Sequence, residues 1–409
     1  MARRKASKIR DSDIVGLKYF DRLMPLLERL HEVGTQRDRA GNRTLFFDQY
    51  CAYVLLFLFN PIVTSLRGIQ QASELKKVQK KLGCARASLG SLSEATQIFD
   101  PEPVKQIARE LASQLEPLGQ DRQFPEVKHL ITAVDGTVVK TLARIVQAAY
   151  MKSHSDGRSL SAWRLHTHFE IERGLPARID VTGAGNQGEA DERAVLRNSL
   201  QPDRCYVLDR GYAQFALFNA IAAIGSSYVC RVRDNSVYDV VEQRPLSVDA
   251  AAAHVMFDAV VRMGQDRPGP KRPDHPIRLV FIQTTPHQKR GKQGGGTAGP
   301  RSDGVLRIAT NLLDVPAEVI GFIYQRRWMI EIFFRFLKHI LGCRHLLSTD
   351  PVGIEIQAYC AIIACLLIAL WTGKQPTKRT YEMICFYFIG WADEEELLNH
   401  LAKLKGPDA

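Results

Sequence analysis

The hydrophobic rhythm of the chain changes near residue 130. Before that point LKYFDRLMPLLERLHEV (17–33) places apolar residues at helical spacing, and FDQYCAYVLLFLFN (47–60) is apolar on nearly every side. The first predicts an amphipathic helix and the second a buried one. SLRGIQQASELKKVQKKLGCARASLGSLSEATQIF (65–99) reads as two helices separated by LGCARASLG, the second opening with a capping box from Ser91 to Glu94. The pair has the form of a helix-turn-helix, and Lys76, Lys77, Lys80, Lys81 and Arg86 give it a basic face.

From Leu130 the period shifts toward two. LITAVD, RLHTHFEIE and ARIDVTG predict three strands, GEADERAVLRNSL a helix, CYVLD a strand and AQFALFNAIAAIG a helix. SSYVCRVR, VYDVVE, IRLVFIQT and VLRIAT are again strand-like, separated by two Gly/Pro-rich basic stretches, QDRPGPKRPDHP and TTPHQKRGKQGGGTAGPRSD. Residues 267–303 hold eight Lys or Arg against two Asp, so these loops suit phosphates. QAYCAIIACLLIALW (357–371) is shorter than the roughly 20 apolar residues a membrane span needs, and predicts a buried core helix. The closing TGKQPTKRTYEMICFYFIGWADEEELLNHL predicts a small helical tail.

Two apolar runs end in an aspartate followed by turn chemistry: Asp135 in HLITAVDGTVVK and Asp209 in RCYVLDRGYAQF. Each predicts a buried strand that delivers a carboxylate to its tip. A third acid stands in YQRRWMIEIFFRFLK (324–338). At 100° per residue, Tyr324, Arg327, Glu331, Arg335 and Lys338 fall on one stripe about 80° wide, while Ile330, Phe333 and Leu337 point elsewhere. An i,i+4 ion pair on a solvated face would explain Arg327 and Glu331 alone. Three hard oxygen ligands on two strand ends and one helix instead suit Mg²⁺ or Mn²⁺ rather than zinc. Asp156, Asp180 and Asp191 are rival acids without the strand-tip setting.

VDGT, VLDRGY and the pattern Y-x2-R-x3-E-x6-K, led in by TNLLDVPAEVIGFIYQRRW, resemble the DDE transposases of bacterial insertion sequences, and more narrowly the insertion sequence four family. The resemblance covers about Leu130 to Leu370. It implies an α/β fold with a ribonuclease-H-like catalytic core, interrupted by a mostly β insertion subdomain and preceded by an N-terminal helical domain. On that plan the helical DNA-binding domain is 1–125, the core 126–226 and 313–375, the insertion 227–312 and the C-terminal helical tail 376–409. It further implies Asp135, Asp209 and Glu331 as ligands of two Mg²⁺ (or Mn²⁺), and Tyr324, Arg327 and Lys338 as grips on DNA phosphates. Arg335, on the same stripe, and Arg210, beside Asp209, are added as DNA contacts. Lys76, Lys77, Lys80 and Lys81 would meet the terminal inverted repeats. Double-stranded DNA, as element ends and as target, is the implied partner, bound by a homodimer. Some members hold a flipped base on a Trp of the insertion. Here the four Trp are 163, 328, 371 and 391, which leaves Tyr228, Tyr238, Phe257 or Phe281 to supply the stacking plane. A structure-selective nuclease on the same fold and a domesticated DNA-binding descendant are the alternatives.

The remaining composition agrees. A net charge of +11 and a pI near 9.3 favour a polyanionic partner. Eight cysteines form no CxxC and sit mostly in apolar runs, as reduced core thiols of a cytoplasmic, nucleoid-associated protein would. His166 and His168 alternate on a strand without Cys partners and read as structural. MARRKASKIRDSD lacks the apolar stretch of a signal peptide, so the expectation is a soluble chain without a membrane.

Overall fold

The computed structural model of the chain describes residues 25–114, 124–142, 149–152, 159–183, 188, 191–264, 272–284, 303–342, 346–348, 350–372 and 377–403. The two basic stretches between the later strands lie largely outside these residues, as do residues 17–24 of LKYFDRLMPLLERLHEV.

Among the described residues ten strands form one mixed sheet. The first group is β1 (Leu130–Leu142), β2 (Ala149–Lys152), β3 (Ser159–Glu170), β4 (Leu175–Gly183), β5 (Arg204–Leu208) and β6 (Ser227–Arg231). β3 lies antiparallel to β1, with both β2 and β4 on its other side. β5 runs parallel to β1, and β6 parallel to β5. CYVL in β5 and SYVC in β6 are buried throughout, which is why they read as unbroken apolar runs: strands covered on both faces lose the polar half of the alternation. The second group is β7 (Tyr238–Gln243), β8 (Val255–Met263), β9 (Ile277–Gln283) and β10 (Val305–Thr310), and it continues the same sheet. β10 pairs antiparallel with β6, then follow β9, β8 and β7, the last an exposed edge. The sheet therefore has no break at 227, and β6 belongs to its parallel centre.

The helices divide between the sheet's faces and an N-terminal group: α1 (Phe47–Phe59), α2 (Leu66–Ser73), α3 (Lys76–Leu82), α4 (Leu89–Ile98) and α5 (Glu102–Ser113). The stretch expected as two helices thus holds three. Gly83 takes a left-handed φ of 60° and ends α3. α4 is capped by Ser88, whose side chain accepts the Ser91 N–H, so the cap lies one turn before the Ser91–Glu94 box expected. α6 (Glu192–Asn198), α7 (Phe215–Ala223) and α8 (Val248–Ala252) connect strands; α9 (Ala317–Arg326), α10 (Trp328–Gly342), α11 (Pro351–Thr372), α12 (Lys378–Phe388) and α13 (Glu394–Ala402) follow the last strand.

Among the described residues α11 is the helix long and apolar enough to cross a membrane, yet 83% of its apolar window is buried inside the protein. It packs on β4, α1, α4, α5 and α10. The Tyr359 hydroxyl on α11 donates to the Ile179 carbonyl at 3.0 Å and accepts the Ile179 N–H at 3.1 Å, fastening the helix to β4. Lys105 on α5 pairs with Glu355 on α11 at 2.9 Å, and the Tyr381 hydroxyl of α12 donates to the Leu58 carbonyl of α1. One apolar core runs from Leu27 to Leu397, so the N-terminal helices bury their faces against the C-terminal ones. The seven described cysteines are buried and form no disulfide.

Candidate active site

β1 pairs with β5 from Leu130–Arg204 to Val134–Leu208, so Asp135 and Asp209 follow one step after the last pair on neighbouring parallel strands. β5 stops because Asp209 caps a short turn, Arg210–Tyr212; its Oδ1 accepts the Arg210 N–H at 2.6 Å. β1 does not stop. It continues to Leu142 in its hairpin with β3, which places Asp135 mid-strand opposite Thr167, where a strand tip was expected. The parallel register of β1 and β5 brings the two carboxylates together, and only Asp209 stands at a strand end.

Glu331 lies in the first turn of α10. The expected single helix is interrupted at one residue: α9 ends at Arg326, α10 starts at Trp328, and Arg327 stands between them with φ −50° and ψ −31°. Its guanidinium spans two elements, donating through Nη1 to Asp135 Oδ2 at 3.3 Å and through Nη2 to Glu331 Oε1 at 2.7 Å. It also lies over the Tyr324 ring, 5.9 Å from the centroid. The Arg327 side chain is 13% exposed, against 24% for Asp135 and 31% for Glu331.

Burial pushes the Asp135 carboxyl up to about 6. Arg327 and the Gly136 N–H oppose the rise, while the charges of Asp209 and Glu192 add to it. For Arg327, burial works against the charge, but Tyr324, the bond to Glu331 and the two aspartates together hold its pKa above the ordinary arginine value. Burial also pushes the Tyr324 hydroxyl up to about 12.

By type, three carboxylates fit a hard divalent cation. As arranged here they do not yet form a cage: among the described residues no three His, Cys, Asp or Glu side chains converge on one point, and a guanidinium separates two of the acids.

The family model described as Transposase DDE domain matches residues 126–367, a span that contains all three carboxylates, the whole sheet and most of α11. The chain belongs to this family of DDE transposases. It is similar to "Putative transposase y4zB" of Sinorhizobium fredii, 26% identical over 53% of this chain and 55% of that one. It is also similar to "Probable transposase for insertion sequence element IS5377" of Geobacillus stearothermophilus, 25% identical over 64% of this chain and 61% of the relative. The matched part thus spans little more than half the length of these relatives. Among solved structures, the piggyBac transposase synaptic complex with hairpin DNA gives a TM-score of 0.39 at 11% identity, covering 95% of this chain and 83% of that one, a likeness too remote to carry an argument.

Around these carboxylates stand groups that sequence reasoning missed. Glu192, the first residue of α6, forms an ion pair with Arg164 of β3. Its Oε1 lies 2.8 Å from where a Cβ on Gly136 would stand, so the carboxylate fills the room that the glycine leaves beside Asp135. The Tyr212 hydroxyl is buried with no hydrogen-bond partner, and burial, then the charges of Glu192 and Asp135, raise it well above the tyrosine range. No local pattern marks Glu192, because its partner arrives through the β1–β3 hairpin. Arg233 joins Asp209, Arg210, Gly211, Asp234 and Asn235 in a groove of about 600 Å³.

The other expected residues are spread more widely. Arg210, Arg335 and Lys338 are exposed, Arg210 beside Asp209 and the other two along α10. Lys76, Lys77, Lys80 and Lys81 sit on α3 among the N-terminal helices, not on the sheet that carries the acids. Tyr228 is fully buried and stacks on Phe218 at 4.2 Å, while Tyr238, Phe257 and Phe281 are half-buried and pack on one another. Trp328, next to Arg327, is 54% exposed. His166 and His168 bond to Thr182 and Ser199, as structural histidines would. Asp180 is held by Arg178, and Asp191 caps α6.

Proposed function

We propose that the chain is the transposase of an insertion sequence of the insertion sequence four type, which cuts the element's DNA ends and joins them to target DNA. The observation that carries this reading is Arg327, whose single guanidinium ties Asp135 on β1 to Glu331 on α10, with Asp209 just past the end of the neighbouring strand β5. The strand order β4–β3–β1–β5–β6, with the last two parallel to β1, supports a ribonuclease-H-like core. β7 to β10 form the mostly β insertion, and the helices before β1 the terminal-repeat-reading part.

Asp135, Asp209 and Glu331 would hold two Mg²⁺ or Mn²⁺, which lower the pKa of an attacking water or 3′-hydroxyl and stabilise the leaving oxyanion. The chain's own residues supply position. Asp135 is the acid whose carboxyl burial raises, so an ion bound there would compete with a proton and bind better as the pH rises. Tyr324, Arg327 and Lys338 hold phosphates next to the cut, Arg335, Arg210 and Arg233 extend that contact, and Lys76, Lys77, Lys80 and Lys81 bind the repeat further out. A homodimer would bring two ends together.

The test is metal-dependent cleavage beside DNA binding in Asp135→Asn, Asp209→Asn and Glu331→Gln. Each should lose cleavage by at least about a thousandfold, since a catalytic ligand contributes several kcal/mol to the transition state. Binding should survive in all three. A variant that still cuts at the wild-type rate with Mg²⁺ removes its residue from the site.

A further inference from the structure

We propose that Arg327 is a place-holding cation: in the DNA-free protein its guanidinium fills the place of a divalent ion between Asp135 and Glu331, and loading of that place is coupled to withdrawal of the arginine onto a DNA phosphate. This rests on the three-carboxylate reading above. Two nitrogens of one side chain bond two acids from different elements, at 3.3 and 2.7 Å, in a setting where the arginine is only 13% exposed. The same contact explains why the acids of a DDE transposase fail to converge. Asp209 is different: among the described residues no cation lies within ion-pair distance of it, and its Oδ1 accepts a backbone N–H. The protein thus offers one open side, at Asp135 and Asp209, and one closed side, at Asp135 and Glu331.

A guanidinium and a divalent ion repel each other at a few ångströms, so each weakens the other's hold on a shared pair of carboxylates. The planar fork that fits a carboxylate fits a phosphate equally well, which gives Arg327 an equivalent partner once DNA is bound. Metal and DNA should therefore strengthen each other's binding, by the same factor in either order. In the absence of DNA, the second ion is held off.

The experiment is a Mn²⁺ titration of the DNA-free full chain, read by the spin-resonance signal of free Mn²⁺, for the wild type, Arg327→Gln and Arg327→Lys. Removing a unit charge from about 4 Å should raise Mn²⁺ affinity at least about tenfold in Arg327→Gln. Arg327→Lys keeps the charge but cannot span both acids, and should rise less. It carries the test by itself if Arg327→Gln does not fold: a rise supports the proposal and no rise overturns it. Added duplex DNA should raise the affinity of the wild type and leave that of Arg327→Gln nearly unchanged; equal gains in both overturn the link to DNA. Asp135→Asn separates the two levels. If it binds Mn²⁺ as the wild type does, the three-carboxylate reading falls; if it loses binding while Arg327→Gln gains none, the place-holder alone falls.

Discussion

At Asp135 burial works against the charge that the proposed chemistry needs. Its carboxyl is raised to about 6, with burial the leading cause, so the folded protein favours the protonated acid. Stability from that preference is fully present below the unfolded pKa near 3.9 and is lost as the pH rises through 6. In chelator-treated protein at pH 7.5, Asp135→Asn is therefore expected to be more stable than the wild type. Two pKa units correspond to about 2.7 kcal/mol, which the quarter exposure of the side chain reduces to about 1–2 kcal/mol. Urea denaturation from pH 3.5 to 8 checks this: the gap should open between pH 4 and 7. A variant less stable than the wild type at pH 7.5 would mean that the Arg327 contact outweighs burial. Such a cost is what a metal or DNA site built in advance would carry, since the stabilising partner arrives later.

Among the elements, β8 and the loop after β10 fix where the signature helices lie. Arg278 on β9 and Asp258 on β8 form a buried two-bond pair at 2.7 Å, and the same guanidinium donates to the carbonyls of Leu312, Leu313 and Val315, the segment that leads into α9. Arg278→Met leaves the Asp258 charge buried and unpaired, and should cost about 3–5 kcal/mol. Adding Asp258→Leu should recover only part of it, because the loop carbonyls still lack their donor. A single-variant loss below about 1 kcal/mol by urea denaturation would contradict this role. The same pair shows where sequence reading stopped. VMFDAVVRM carries a charged residue in the middle of its apolar run, so it did not read as a strand; the arginine that neutralises Asp258 comes from the next strand. β1, β3, β5 and β10 were legible because their alternation or apolar run is local, and Asp135, Asp209 and Glu331 because each punctuates such a run. The Glu192–Arg164 pair and the length of β1 were not, since each is decided by a neighbour distant in the chain.

For the whole molecule, the shared core from α1 to α12 bears on how DNA binding is tested. The Tyr381–Leu58 and Lys105–Glu355 contacts join helices some 250 or more residues apart, so removing either end exposes apolar surface on the other. The full chain is thus the object to assay, and its net charge of +11 makes ionic strength a variable to hold fixed. Under the proposed function, one catalytic centre first cuts and then joins, which separates a transposase from a nuclease on the same scaffold. The most direct measurement is strand transfer by the full chain: duplex DNA from the flank of its own coding sequence, pre-cut to leave a 3′-hydroxyl, is incubated with a circular target and Mg²⁺ or Mn²⁺. The account predicts covalent end-to-target joints with the wild type, none with chelator, and none with Glu331→Gln. DNA cutting without joining in either metal, or joining that persists in Glu331→Gln, would contradict it.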